Sequence, residues 1–386
     1  MIDALEIHDG AIAAHPVTDT LSGVVEATLA RTYDDEMRLT ATTVNGSNSA
    51  GLAYDVDGLV TQVGAMSVAR NPDNKLVSGT TLGSVASTIT RNQFGGIDSE
   101  TYMAGGTIYA TDLRRETSGR LTSETTTTAA GAVTRTYAYD EAGRLQSATT
   151  GSAQTTYTYD ASGNRLARTD PGGTTTGAYD AQDRLTRWGG VNYAYSPAGD
   201  LSSKTDTATN KVTSYEYDGD GNLLKAELPN GEKLDYVVDG LARRVAIKRD
   251  GTVERRYVYG EAQGPSAELD GGGSVVKRFV YGTRSWVPDY MVRNGTTYRF
   301  VLDARGSVRL VVDASNGNVA QAITYDEYGR ILSDSSPGFQ PFGFAGGLYD
   351  RDTGLVRLGR RDYDPETGRF TTRDPMGFNG GDSNLD

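Results

Sequence analysis

Few residues in this chain can do covalent or metal chemistry, and most of those that can are carboxylates. The 386 residues include no Cys and only two His, His8 and His15. Without Cys there are no disulfides, iron–sulfur clusters, Cys-rich zinc sites or cysteine nucleophiles. A Ser-His-Asp triad would have to recruit His8 or His15 from a weakly patterned N-terminal stretch, where a solvated loop histidine is the simpler reading. Two His are too few for a His-rich metal site. The run Asp218-Gly219-Asp220-Gly221-Asn222 has the look of a calcium loop. It lacks the distal Glu that such a loop requires, so it reads as a hairpin turn, and no cofactor is expected. What remains is a C-terminal concentration of Asp, Arg and aromatic residues. It runs through Arg357-Leu358-Gly359-Arg360-Arg361-Asp362-Tyr363-Asp364-Pro365-Glu366-Thr367-Gly368-Arg369-Phe370 to Arg373-Asp374-Pro375-Met376-Gly377.

Those residues must be positioned by the rest of the chain, and the rest of the chain is a repeat. The phrase Tyr139-Asp140-Glu141-Ala142-Gly143-Arg144-Leu145 returns as Tyr159-Asp160-Ala161-Ser162-Gly163-Asn164-Arg165. It returns again from Tyr217-Asp218 to Gly221-Asn222 and from Tyr325-Asp326 to Gly329-Arg330. A period of about twenty residues signals a repeat architecture. Asp-x-x-Gly has hairpin-turn chemistry: Asp140, Asp160, Asp218 and Asp326 bond backbone groups across the turn. Gly143, Gly163, Gly221 and Gly329 supply the positive φ that a type I turn plus bulge demands. Tyr137 and Tyr139, or Tyr157 and Tyr159, stand two apart in strand-like flanks and share one face. The copies drift: Asp183 stands where glycine is expected after Tyr179-Asp180, and the copy at Tyr33-Asp34 loses its glycine at Met37. No polar residue survives every copy, so the phrase is a building device and carries no catalytic site.

Composition agrees with a repeating sheet. Gly is abundant at 48, and Tyr at 23 far outnumbers Phe at 8. A Tyr ring can be buried while its hydroxyl stays wet, which predicts a strip of sheet solvated on at least one side. The net charge of −12 disfavours nucleic acid, which needs basic patches. No apolar run approaches a membrane span. The acidic start Met1-Ile2-Asp3-Ala4-Leu5-Glu6 is not a signal peptide, so export would use another route, or the chain is cut from a longer one. Residues 1–30 read as a degenerate lead-in, with residues 1–14 as the nearest helical candidate. Hairpins run over residues 31–335, least regularly between residues 71 and 120. Residues 336–386 form a distinct C-terminal element.

The tyrosine–aspartate hairpins followed by Asp364-Pro365-Glu366-Thr367-Gly368-Arg369-Phe370 and Asp374-Pro375-Met376-Gly377 closely resemble the RHS/YD-repeat proteins of bacteria. The resemblance covers roughly residues 31 to 386. It implies an all-β fold: a long strip of antiparallel hairpins spiralling into a hollow or partly closed shell, ended by a C-terminal plug. It implies a structural shell that sheathes a C-terminal toxin or effector and helps deliver it from a bacterium, secreted or at the cell surface. The partners implied are that cargo and a delivery apparatus. The family core also acts as an aspartyl autoprotease. By resemblance its first catalytic Asp falls on Asp374 and an assisting Arg on Arg361, with Arg360 as the competing position. Asp362 stands where the family often shows a Tyr. Two neighbouring carboxylates share a proton, so one serves as base and the other as acid. The family's second Asp lies in a later Asp-Pro-x-Gly segment, past Asp386, so the pair is expected to be incomplete here. The competing reading of Arg361 and Asp374 is a structural salt bridge. The alternative function is an extracellular adhesion module whose surface Tyr residues stack on glycans.

Overall fold

The protein is described by a computed structural model covering residues 17–374 except 22, 23, 25, 26 and 261. His8, His15, the helical candidate over residues 1–14 and the Pro375-Met376-Gly377 segment lie outside the described residues.

The fold grows from one turn. In the phrases that begin at Tyr139, Tyr159, Tyr217 and Tyr325, the Asp carbonyl accepts the glycine N–H, at 2.9 Å for Gly143 and 3.2 Å for Gly163, Gly221 and Gly329. The Asp carboxylate then accepts the N–H four residues on, from Arg144, Asn164, Asn222 and Arg330 at 2.8–2.9 Å. The four glycines hold φ values of 82, 89, 78 and 92°, the left-handed region the turn requires. The strand register slips by one residue beside the Tyr, for example between Ala138 and Tyr139, which is the expected bulge. In the drifted copies Met37 (φ 61°), Asp183 (φ 62°) and Ala242 (φ 61°) take the glycine's place. Burial alone would raise the carboxyls of Asp140, Asp180, Asp218 and Asp239. Donors from the backbone and from Arg or Asn outweigh it and hold them below the usual carboxylate range.

Hairpin follows hairpin into a single sheet of 31 strands, from Val17–Leu21 to Ile331–Asp334. Pairing is antiparallel throughout, and each ladder joins strands adjacent in the sequence. The only helical element among the described residues is the short turn Phe344–Gly346. The stretch from 71 to 120, expected to be the least regular, is regular: strands Val77–Leu82, Val85–Arg91, Ile97–Met103 and Thr107–Arg115 follow in order. Asn replaces Asp there. Asn71 accepts from the N–H of Asp73 and Asn74, and Asn92 from that of Phe94 and Gly96. An amide oxygen closes the turn as a carboxylate does.

The strip curls. Laid flat, the strands Ala153–Tyr159 and Val319–Tyr325 would stand about 75 Å apart at the usual strand spacing. Instead the Tyr157 hydroxyl donates to Glu327 at 2.7 Å and Tyr159 meets Tyr328 at 2.7 Å. The early strands lie against the late ones. Ala27, Leu29 and Val44 pack with Val258, Ala267 and Leu269, and Val63, Met66 and Leu82 with Val280, Tyr290 and Ala314. The Ser84 N–H donates to the Ala314 carbonyl at 2.7 Å. No ladder among the described residues joins the first strand to the last, so the strip is an overlapping spiral and not a closed barrel.

Buried and exposed residues alternate along strands such as Met66–Arg70, so the sheet keeps a solvated face as expected, and the tyrosines are on the covered one. Tyr137, Tyr157, Tyr193, Tyr215, Tyr236 and Tyr257 are buried. In several phrases the leading Tyr donates its hydroxyl to a backbone carbonyl of the preceding hairpin: Tyr139 to Leu121, Tyr159 to Leu145, Tyr179 to Arg165 and Tyr259 to Arg244, at 2.7–2.9 Å. Arginine covers the rings, as Arg144 does Tyr159 at 4.8 Å and Arg243 does Tyr259 at 4.8 Å. In these four phrases the phenol satisfies a neighbouring carbonyl while an arginine lies over the ring.

A Cβ at Gly163 would meet nothing within 4 Å, so substitution there tests the backbone alone. Gly163→Val is expected to lower unfolding stability by about 1–2 kcal/mol through the left-handed conformation. Urea denaturation checks this; an unchanged midpoint would refute the turn assignment.

Candidate functional site

The C-terminal residues form a second, four-stranded sheet of Leu348–Tyr349, Val356–Leu358, Arg361–Asp364 and Arg369–Phe370. Asp-to-Gly turns one residue longer than those of the wall build it: Gly354 donates to the Asp350 carbonyl and Gly368 to the Asp364 carbonyl, each at 2.8 Å. Its apolar residues enter the wall. Leu355 joins a core with Leu185, Trp188, Leu223 and Tyr236, and Phe342 joins one with Phe279, Phe300 and Ile323. Phe342 meets Phe279 edge-on at 4.9 Å. The wall glycine Gly329 has a second use besides its turn, because an added Cβ would lie 2.2 Å from the Phe344 ring.

Charge is buried along with the apolar groups. Register pairs Arg357 with Asp362 across two strands, so their side chains share a face. Asp362 has a fully buried carboxylate. It accepts from Arg357 Nη1 at 2.7 Å and from the wall's Arg244 Nη2 at 2.9 Å. Burial opposes both cations. At Arg244 the Asp362 charge outweighs it and raises the guanidinium pKa, whereas at Arg357 burial and the neighbouring Arg244 prevail and lower it. Around this centre Lys204 pairs with Asp364 at 2.7 Å, and the Tyr236 hydroxyl donates to Asp350 at 2.5 Å. Burial would push Lys204 down, but Asp364 raises it. Arg165 lies between the Trp188 and Tyr328 rings, at 4.3 and 4.2 Å, and donates to the Glu366 carbonyl at 2.8 Å.

Arg361 and Asp374, the residues implied by family resemblance, do come together. Arg361 Nη2 lies 3.2 Å from Asp374 Oδ2, with side chains 21% and 29% exposed. The guanidinium stacks 3.7 Å from the centre of the Phe370 ring, which fixes its direction. Arg360 is exposed in the turn before that strand, so Arg361 is the arginine that meets the carboxylate. Chemically the two aspartates differ. Asp362 is enclosed by guanidinium groups and suits a clamp, while Asp374 is partly exposed to solvent. The buried Asp362 centre is a finding of the structure, since in the family pattern Asp362 is only a departure from Tyr. The signal available in the sequence is a charged pair, Arg357 and Asp362, flanking the tight turn Gly359-Arg360.

Asp362→Ala would leave Arg244 and Arg357 buried without their shared carboxylate. It is expected to destabilise the protein by about 3–5 kcal/mol. Thermal or urea unfolding measures this, and a loss below about 1 kcal/mol would show that the clamp does not hold the C-terminal sheet.

Against known proteins, the sequence model of the family described as Teneurin YD-shell matches residues 7–380. Teneurin-1 of Gallus gallus is 34% identical over 196 residues, which is 50% of this chain and 7% of that protein. Double-stranded DNA deaminase toxin A of Burkholderia cenocepacia (strain H111) is 31% identical over 196 residues, 50% of this chain and 12% of that protein. The crystal structure of TcdB2-TccC3-TEV superposes with a TM-score of 0.65 at 17% identity, covering 93% of this chain and 21% of that one. The Photorhabdus luminescens Tc holotoxin pore superposes at 0.63 and 16% identity, covering 95% and 22%. The chain therefore spans a small part of each relative, and at these identities the solved structures speak to the fold alone. The family match runs through both the hairpin strip and the C-terminal sheet, and the chain belongs to the teneurin YD-shell family.

Proposed function

We propose that this chain is wall and plug of an encapsulating shell that holds a C-terminal toxin or effector and takes part in its delivery. The observation that carries the reading is the way the strip bends around its own C-terminal sheet. Hairpins as distant in sequence as those of Arg165, Arg244 and Tyr328 all touch that one small element. A sheet that curls round its own C-terminal element is suited to keep a downstream cargo segment on the enclosed side. The named toxin among the relatives supports a toxin as cargo. The protein would be exported, and no helix among the described residues is long and apolar enough to cross a membrane.

The test is accessibility. An epitope and a protease site appended after Asp386 are expected to resist antibody and protease in the native protein and to become accessible in denaturant. Equal accessibility in both states would overturn the reading.

Within it, Asp374 is the first carboxylate of a self-cleaving pair and Arg361 its assisting cation, in a longer protein that supplies a second Asp. The geometry that supports this is the solvent access of Asp374 and the ring-fixed guanidinium beside it. In such a protein Asp374→Asn is expected to stop self-cleavage. It should shift stability by no more than about 1 kcal/mol, because a partly exposed pair is screened. Cleavage at the parental rate on a denaturing gel would remove Asp374 from the mechanism.

A further inference from the structure

The residue after the left-handed turn position varies along the strip, and in some phrases it is Leu59, Asp200, Ser274 or Ser307. In five phrases it is Arg, and that Arg folds back on its own turn Asp: Arg38 on Asp34, Arg144 on Asp140, Arg184 on Asp180, Arg243 on Asp239 and Arg330 on Asp326, at 2.6–3.1 Å. The guanidinium also covers the Tyr of the next hairpin, as Arg38 does Tyr54, Arg144 Tyr159, Arg184 Tyr195 and Arg243 Tyr259. Two phrases carry Asn instead, at Asn164 and Asn222. There the amide Nδ2 bonds the turn Asp, Asp160 or Asp218, at 2.9 Å, so the turn keeps its closure. The shorter side chain leaves the guanidinium's place open.

Both places are filled from the C-terminal sheet. Arg369 Nη1 donates to Asn164 Oδ1 at 3.0 Å and its Nη2 to the Asp183 carbonyl at 3.0 Å. Arg357 Nη2 donates to Asn222 Oδ1 at 2.9 Å and to the Ala242 carbonyl at 2.9 Å. The two contacts are the same contact. Each plug arginine takes the Asn oxygen of one turn and the carbonyl of the residue at the left-handed position of the following turn, Asp183 at φ 62° or Ala242 at φ 61°. Arg369 also lies over Tyr179 at 5.4 Å, the ring that an arginine at position 164 would have covered.

We infer that Asn164 and Asn222 are the receptor positions that seat the plug, and that the Arg-to-Asn exchange at these two repeats sets where along the strip it docks. An Arg at this position is paired with its own turn Asp, and the turns that end in Leu59, Asp200, Ser274 or Ser307 carry no side-chain amide there. Asn at two repeats opens two guanidinium-sized gaps. Charge-assisted donors filling both fix position and orientation together. The wall strands Arg165–Asp170 and Leu223–Glu227, which come directly after the two Asn turns, stand six strands apart, about 29 Å along a flat sheet. The plug strands carrying Arg357 and Arg369 are only two apart, about 10 Å. The two receptor turns converge on the plug, as turns on the inside of a bend do. This inference concerns seating alone and stands whether or not the shell holds cargo.

Hydrogen exchange on the full chain tests it. Asn164→Arg and Asn222→Arg install the residue that five other repeats already carry, so the hairpins are expected to fold. Amides in the plug, residues 348–370, should then exchange about 10-fold faster or more, matching the loss of a charge-assisted hydrogen bond. Amides of the early wall, residues 77–128, should keep parental rates. Arg369→Lys, which keeps the charge but loses the two-point geometry, should give a smaller rise in the same plug amides. Parental protection of the plug in both Asn→Arg variants would overturn the inference. A loss shared equally by wall and plug, with Arg369→Lys at parental rates, would overturn it as well.

Discussion

One carboxylate oxygen accepting a backbone N–H four residues away is the contact on which this protein depends. Repeated at Asp140, Asp160, Asp218 and Asp326, it closes the turn and places a left-handed residue before the returning strand. It also enforces the bulge beside the Tyr. Bulges sharpen local twist and bend the strand that carries them. A bulge at nearly every hairpin makes a strip that coils instead of lying flat. The overlap of early strands on late ones, and the enclosure of the C-terminal sheet, result from that accumulated bend.

Where the wall meets the plug, the same side chains change use. A turn glycine, Gly329, becomes the socket for Phe344. A turn position that is Arg in five other phrases becomes, as Asn164 or Asn222, an acceptor for Arg369 or Arg357. Ion pairs that would contribute little on the surface are buried here at Asp362 and Asp364. Burial does not guarantee net stabilisation, because desolvating the charges offsets much of their attraction. What it does impose is uniqueness: a plug displaced by one strand would leave a carboxylate or guanidinium buried without a partner.

Much of the wall is legible in the sequence because its signals are local. Asp-x-x-Gly and alternating Tyr residues specify turn, bulge and strand within seven residues. The departures from expectation are local in origin too. Asn92 escapes a pattern built on Tyr-Asp, although an Asn oxygen closes the turn equally well. The tyrosine hydroxyls look wet from sequence because their carbonyl acceptors sit on a neighbouring strand that the phrase does not name. The candidate site is less legible. Arg361 and Asp374 come from resemblance, and their contact is in place. Asp362, Arg244 and Lys204 cannot be grouped from sequence, since their proximity depends on how far the strip bends, and no single repeat encodes that. Drift of the repeat looks like loss of information. At positions 164 and 222 it is better understood as information about a distant segment.

The pairing scheme bears on how the chain is made. Every ladder in the wall joins sequence neighbours, so each hairpin can form as soon as its second strand is available. Few closures of long loops are needed before hydrogen bonds are gained. The distant contacts, such as Tyr290 to Val63 across 227 residues, come only when most of the strip exists. Arg357 and Arg369 reach their partners later still. Synthesis from the N-terminus therefore builds the curved strip before the C-terminal sheet that packs against it.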